Sequence, residues 1–345
     1  VNRTYLDMIQ GQEPAYTPVW FMRQAGRSQP KYREIKKTHS LFDITREPEL
    51  CAYVTNLPVE EYGLDAAILY KDIMSPMTAI GVEVKLVPGK GPVFERPIQR
   101  AADLDQIGTF DGSKVSYIAD TIKLLTSEVL DVPLIGFCGG PFTIASYLVE
   151  GGPTKSYNKT RGLMVSQADL WDDLMNRLAD MSIDYLSMQV EAGANALQIF
   201  DSWIGAVSAE QYHAHIFSHM DKIISTMKAK YPHIPLAMNG VGNAHLVEEW
   251  GQLPIDVLAL DWRCPIDRLG QLGIDKVVQG NLDPAFLYAP VYVLDKELDA
   301  IIEAGLRHGR HVFNLGHGVF PEADPAKLKY ITEYVHEKSR ALRAK

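Results

Sequence analysis

The chain has 345 residues, 46% hydrophobic and 22% charged, with a formal net charge of -9 at pH 7, proportions that exclude a disordered or fibrous protein. No run reaches the roughly 20 apolar residues that span a bilayer, and the first twenty residues lack the apolar core of a secretory signal. The three cysteines, Cys51, Cys138 and Cys264, are isolated and odd in number, which excludes a disulfide framework and a CxxC metal knuckle and leads to the expectation of a reducing, cytoplasmic setting.

In chain order, the first short apolar run is Pro18–Met22, read as a strand that ends on Arg23. Arg23 opens a basic island with Arg27, Lys31, Arg33, Lys36 and Lys37, opposed only by Glu34. In an acidic protein such an island is a candidate funnel for anions, the alternative being a solvated helix face. It is too short, and too bare of any binding motif, to suggest nucleic acid. The second run, Ala66–Tyr70, closes on Asp72. Val82–Leu86 and Val93–Arg96, separated by Pro88-Gly89-Lys90-Gly91-Pro92, read as an inserted β-hairpin. Pro133–Phe137 follows and leads to Gly139-Gly140. Then come Ala196–Phe200 before Asp201-Ser202, Ile234–Met238 before Asn239, and Val257–Leu260 before Asp261. Lys276–Gln279 before Asn281 and His311–Leu315 before His317 complete the set.

Near-continuous apolar strands alternating with helix-length segments indicate a parallel sheet covered by helices. Eight of them predict a (β/α)8 TIM barrel, a single domain over residues 1–345, with long loops at the C-terminal face. About 250 residues make such a barrel, which leaves roughly 95 for insertions. In this fold the carboxyl ends of the strands build the active site, so the polar residues that close each run would converge on one mouth. Taken singly, Asp261 or Ser202 reads equally well as a helix cap.

The stretch Pro18-Val19-Trp20-Phe21-Met22-Arg23-Gln24-Ala25-Gly26-Arg27 resembles the N-terminal signature of the uroporphyrinogen decarboxylases. Further blocks follow in that family's order: Ile68–Ile73, Gly136–Thr143, Tyr147–Gly152, Phe200–Trp203, Gln279–Pro284 and Asn314–Gly318. Departures fall in loops, at Ser28-Gln29-Pro30, Gly151-Gly152-Pro153 and Arg263-Cys264-Pro265. The resemblance implies a (β/α)8 homodimer that removes four acetate carboxyls from uroporphyrinogen III, giving coproporphyrinogen III and CO2 without a cofactor or metal. No glycine-rich dinucleotide fingerprint, P-loop or HExxH motif accompanies it. A pyrrole protonated on ring carbon can act as its own electron sink.

The resemblance implies catalytic roles for Asp72, Arg23 and Tyr147. Asp72 would accept the pyrrole N–H groups and stabilise the protonated ring; the competing readings are a helix cap or a buried partner for Arg23. Arg23, Arg27 and Lys36 match positions that meet substrate carboxylates, for which forked guanidinium donors suit the first two. Arg23 is also a candidate for delivering the proton, although an ordinary arginine is a weak acid. Tyr147 would orient the reacting acetate. Ser202 and His317 would hydrogen-bond carboxylates, His317 either as a neutral donor or protonated. Gln24 is expected to position the arginine loop, and Tyr70, Phe137 and Phe200 to form substrate-facing walls, with core packing as the alternative for the aromatic residues. Asp201, Asn239, Asp261 and Asn281 are read as supporting or capping residues.

Two other functions compete. Zinc-dependent methyltransferases share the barrel but carry a His-x-Cys pair after the fifth strand, where this chain has Asn239-Gly240-Val241. A tetrapyrrole carrier would need the arginines but not Asp72 together with Tyr147.

Overall fold

The computed structural model describes residues 1–345. Its centre is a curled parallel sheet of seven strands wrapped by helices. In chain order the strands are β1 (Ala67–Ile68), β4 (Leu134–Gly139), β5 (Ala196–Asp201), β6 (Leu236–Gly240), β7 (Val257–Ala259), β8 (Val277–Gln279) and β9 (His311–Val312), each paired with the next. Between β1 and β4 a separate antiparallel pair, β2 (Lys85–Val87) and β3 (Gly91–Val93), stands apart from the sheet. Every residue of β4 is buried, which is why its sequence reads as an unbroken apolar and glycine run.

The expectation of eight strands is corrected at the first. Pro18–Met22 contributes a single parallel bridge, Val19 to Phe313, and not a ladder. Two features of the sequence account for this. Pro18 has no amide proton, and the Val19 amide donates to the buried Asp65 carboxylate at 2.8 Å in place of a neighbouring strand. The segment is nonetheless stitched on both sides. Phe313 N donates to Pro18 O at 2.9 Å, and Asp65 N donates to Val19 O at 2.9 Å.

The helices follow their apolar spacing. Ala168–Ala192 buries Leu170, Trp171, Leu174, Met175, Leu178, Met181, Tyr185 and Gln189, one face of a 3.6-residue period. Its buried Gln189 makes two bonds to the backbone of β4: Phe137 N donates to Oε1 at 2.9 Å, and Nε2 donates to Phe137 O at 2.9 Å. A Cβ on Gly136 would stand 2.6 Å from Gln189 Oε1, so glycine there lets the amide reach the strand. Several helices open on proline in the first turn, among them Pro48–Tyr62, Pro141–Glu150 and Pro325–Arg343. Asp324 caps the last by accepting the Ala326 amide at 2.9 Å. No helix is long and apolar enough to cross a membrane.

Candidate active site

Two adjoining cavities open at the carboxyl ends of the strands, of about 560 Å³ and 300 Å³, sharing Arg23, Phe200, Ser202 and Trp203 as common wall. The larger also takes in Gln24, Arg27, Tyr70, Lys71, Asp72, Phe137 and Tyr147, and the smaller Tyr157, Asn239 and His317. Thus every side chain given a catalytic or substrate-facing role in the sequence lines one or the other except Lys36. Lys36 ends the helix Pro30–Lys36, a full turn beyond the buried Tyr32 that lines the larger cavity. That places it about 6 Å farther along the helix axis. Of the basic island only Arg23 and Arg27 reach the cavity. Arg33 donates to the carbonyls of Arg27 and Ser28 at 2.9 and 3.1 Å, and Lys37 pairs with Glu34.

Arg23 sits at φ 56°, left-handed for a residue with a side chain. Its neighbours hold it there. Gln24 is fully buried, accepts the Phe21 amide at 3.1 Å and donates to Ala66 O at 3.3 Å. Asn314 accepts the Met22 amide at 3.0 Å. Gln24 therefore spends its amide on the backbone and shapes the arginine turn. Gly318 leaves the space for the arginine itself: a Cβ there would stand 2.7 Å from Arg23 Cδ.

Asp72 divides its two oxygens. Oδ1 accepts the Met74 amide at 2.6 Å and the Ser75 hydroxyl at 3.4 Å, ahead of the short helix Ser75–Ala79. Oδ2 is buried without a partner. Burial raises the Asp72 pKa, opposed by the Met74 amide and the charge of Lys71. One oxygen is taken up by this local turn, ahead of Met74 at the helix N-cap, and the other is left unsatisfied, a costly state for a buried carboxylate.

Tyr147 stacks on Trp203, ring centroids 4.1 Å apart, and Tyr157 packs on the same indole at 5.0 Å. Burial raises the Tyr147 pKa, so its hydroxyl keeps its proton. His317 accepts the Gly318 amide on Nδ1 at 2.7 Å, which leaves Nε2 to carry the proton. Burial first, then Arg23, lowers the His317 pKa, so the ring is a neutral donor. Phe137 and Phe200 meet edge to face at 5.0 Å and wall the larger cavity. Tyr70 presents its ring there and bonds its hydroxyl to that of Tyr32 at 2.6 Å.

The supporting residues divide by task. Asp201 accepts the Thr143 hydroxyl at 2.7 Å, and Thr143 Oγ1 accepts the Trp203 amide at 3.1 Å, tying the loop after β5 to the helix after β4. Asp261 accepts the Gly242 and Arg263 amides at 2.6 and 2.8 Å, and Asn281 donates to two carbonyls of that loop. Asn239 instead lines the smaller cavity. No three His, Cys, Asp or Glu side chains gather as a metal site would require. Among the wall residues given no role in the sequence reading are Lys71, Trp203 and Tyr157. Lys71 and Trp203 lie inside quoted blocks, where a signal existed. Tyr157 enters from a loop, in the left-handed region at φ 55°, and no local pattern announces it.

The sequence matches the uroporphyrinogen decarboxylase (URO-D) family over residues 1–338. Curated uroporphyrinogen decarboxylases of several Staphylococcus aureus strains are 54% identical to the chain over 336 residues, 97% of this chain and 97% of theirs. Among solved structures, a methyltransferase from Methanosarcina mazei superposes with a TM-score of 0.73 at 18% identity, covering 97% of both chains. A B12-independent methionine synthase from a Shewanella species gives 0.59 at 12% identity, covering 90% of this chain and 92% of that one. At those identities the superpositions speak for the barrel-like fold alone. The sequence match is of another order, and by it the chain belongs to the uroporphyrinogen decarboxylase family.

Proposed function

We propose that the protein is a uroporphyrinogen decarboxylase that converts the four acetates of uroporphyrinogen III to methyls without a cofactor, giving coproporphyrinogen III and CO2. The observation that carries the reading is the Asp72 carboxylate, with one buried, unpartnered oxygen on the wall of a cavity that Arg23 and Arg27 also line. A ring of inward-pointing pyrrole N–H groups supplies the donors that this oxygen lacks, while the two guanidiniums suit peripheral carboxylates. In each round a proton adds to a pyrrole ring carbon, leaving a cationic ring. The acetate C–C bond then breaks, its electron pair neutralises that ring, and CO2 departs. The exocyclic carbon takes a proton as the ring carbon returns its own, so one proton is consumed per carboxylate. Asp72 stabilises the cation electrostatically. Tyr147, braced on Trp203, orients the acetate, and Ser202 and neutral His317 donate to carboxylates. We also read Pro18–Met22 as the eighth stave of a closed single-domain barrel with the β2–β3 pair as an insertion, and the working protein as a cytoplasmic homodimer.

The methyl-transfer alternative needs a His-x-Cys pair at the end of β6, where this chain has Asn239-Gly240-Val241. The test is anaerobic incubation of chelator-treated protein with uroporphyrinogen III, followed by oxidation and chromatographic counting of carboxyls. A ladder from eight carboxyls to four is expected. Binding without carboxyl loss would make the protein a carrier.

A further inference from the structure

Lys71 follows Tyr70 just past β1 and has no carboxylate within ion-pairing distance, although Asp72 is its neighbour in the chain. Its Nζ donates to the Phe137 carbonyl at 2.5 Å and lies 3.7 Å from the centroid of the Phe137 ring and 4.5 Å from that of Tyr185. Phe137 is 6% and Tyr185 0% exposed, so the nitrogen between them is withdrawn from water. A carbonyl and two π faces as partners favour the cationic form of this buried amine. The other groups facing it are two buried thiols, Cys51 from helix Pro48–Tyr62 and Cys138 from β4. Burial pulls the Lys71 pKa down to about 7, and Cys138 and Asp72 oppose that fall. The same charge acts in reverse on Asp72, where it offsets part of the burial that favours the protonated acid. Tyr70, Tyr117, Tyr147 and Tyr185 also sense the Asp72 charge, and all are phenols that keep their protons. Lys71 is therefore the nearby cation that both lines the cavity and opposes protonation of Asp72.

We propose that Lys71 is a positioning residue whose ammonium, clamped between the Phe137 and Tyr185 rings, holds Asp72 as the anion that receives the pyrrole N–H groups. The inference rests on the decarboxylase reading of the site. It predicts that removing the charge makes Asp72 easier to protonate, so that the acid limb of activity moves to higher pH. A lysine that merely filled space would alter stability and rate while leaving the limb where it was.

The experiment compares wild type, Lys71→Met and Lys71→Arg across pH 5 to 8, reading kcat/KM for uroporphyrinogen III and, separately, equilibrium binding of reduced coproporphyrinogen III. In Lys71→Met both acid limbs should rise by about one pH unit, a tenfold change in proton affinity, and Lys71→Arg should bring them back toward wild type. Limbs of Lys71→Met that superimpose on wild type would overturn the proposal, whatever the change in rate. Should Lys71→Met fail to fold, Lys71→Gln, which keeps a donor for the Phe137 carbonyl, carries the same prediction. If wild type binds the tetrapyrrole but removes no carboxyl, the decarboxylase reading fails, and the binding limb alone still decides the role of Lys71. Absence of binding by wild type would overturn both.

Discussion

At the scale of single residues, the site works through side chains whose surroundings leave something undone. Asp72 has one oxygen satisfied and one not. Replacing it with Asn keeps an acceptor for the Met74 amide and the volume but removes the charge. Turnover of Asp72→Asn should fall by about 10²–10³, with the melting temperature held or raised because a buried charge is gone. Steady-state assay and thermal unfolding check both, and near-wild-type kcat would end the role given to Asp72. Gly318 owes its place to Arg23. An added methyl would stand 2.7 Å from Arg23 Cδ and 2.9 Å from Cγ, and the left-handed backbone of Arg23 leaves little room to retreat. Gly318→Ala should lower kcat/KM by about ten- to a hundredfold through misplacement of the guanidinium. Unchanged kinetics would mean that the arginine is not held where it is needed.

At the scale of elements, the wall that faces the cavities is braced from behind. The Gln189 amide holds the backbone of Phe137 by two bonds, and Lys71 adds a second donor to the same carbonyl. Gln189→Leu would leave the Phe137 amide buried without an acceptor while Lys71 still serves the oxygen. The expected loss is about 1–3 kcal/mol, read as a lower urea midpoint at unchanged m-value. No loss of stability would mean that water or a shifted strand replaces the glutamine. The β2–β3 pair has a comparable relation to the loop that delivers Tyr157. Phe94 N donates to Gly151 O at 2.9 Å, and Gly91 lies against Pro153.

At the scale of the molecule, the two ends of the chain meet at the amino-terminal side of the curled sheet. Asp65 accepts the Val19 amide, Asn2, Tyr16 and His336, so one buried carboxylate joins the Pro18–Met22 segment, the segment entering β1 and the last helix. His311 sets part of the pH dependence of this packed core. Its Nε2 meets Gly280 O at 2.6 Å, and burial pulls its pKa from 6.5 down to about 4. The unfolded chain then takes up a proton that the folded chain refuses. The contribution is intact above pH 6.5 and is lost as pH falls toward 4, by about 1.4 kcal/mol per pH unit. Wild type should therefore lose stability relative to His311→Asn across that window in urea titrations. Parallel curves for the two proteins would show that the ring is protonated in the fold.

The sequence by itself determined the family, the parallel α/β order of elements and most residues of the mouth, for a physical reason. Buried strands must be nearly all apolar, so each polar residue that interrupts them stands out. Phe200-Asp201-Ser202 and Leu315-Gly316-His317 are legible in that way. Tertiary structure alone decided what depends on partners remote in the chain. It turned the first strand into a single bridge, because a carboxylate 46 residues away took its amide. It left Lys36 off the cavity wall and brought Tyr157 in from a loop. It also placed Lys71 between rings 66 and 114 residues distant. Local pattern records which face of an element is buried, but not which groups the other elements bring to meet it.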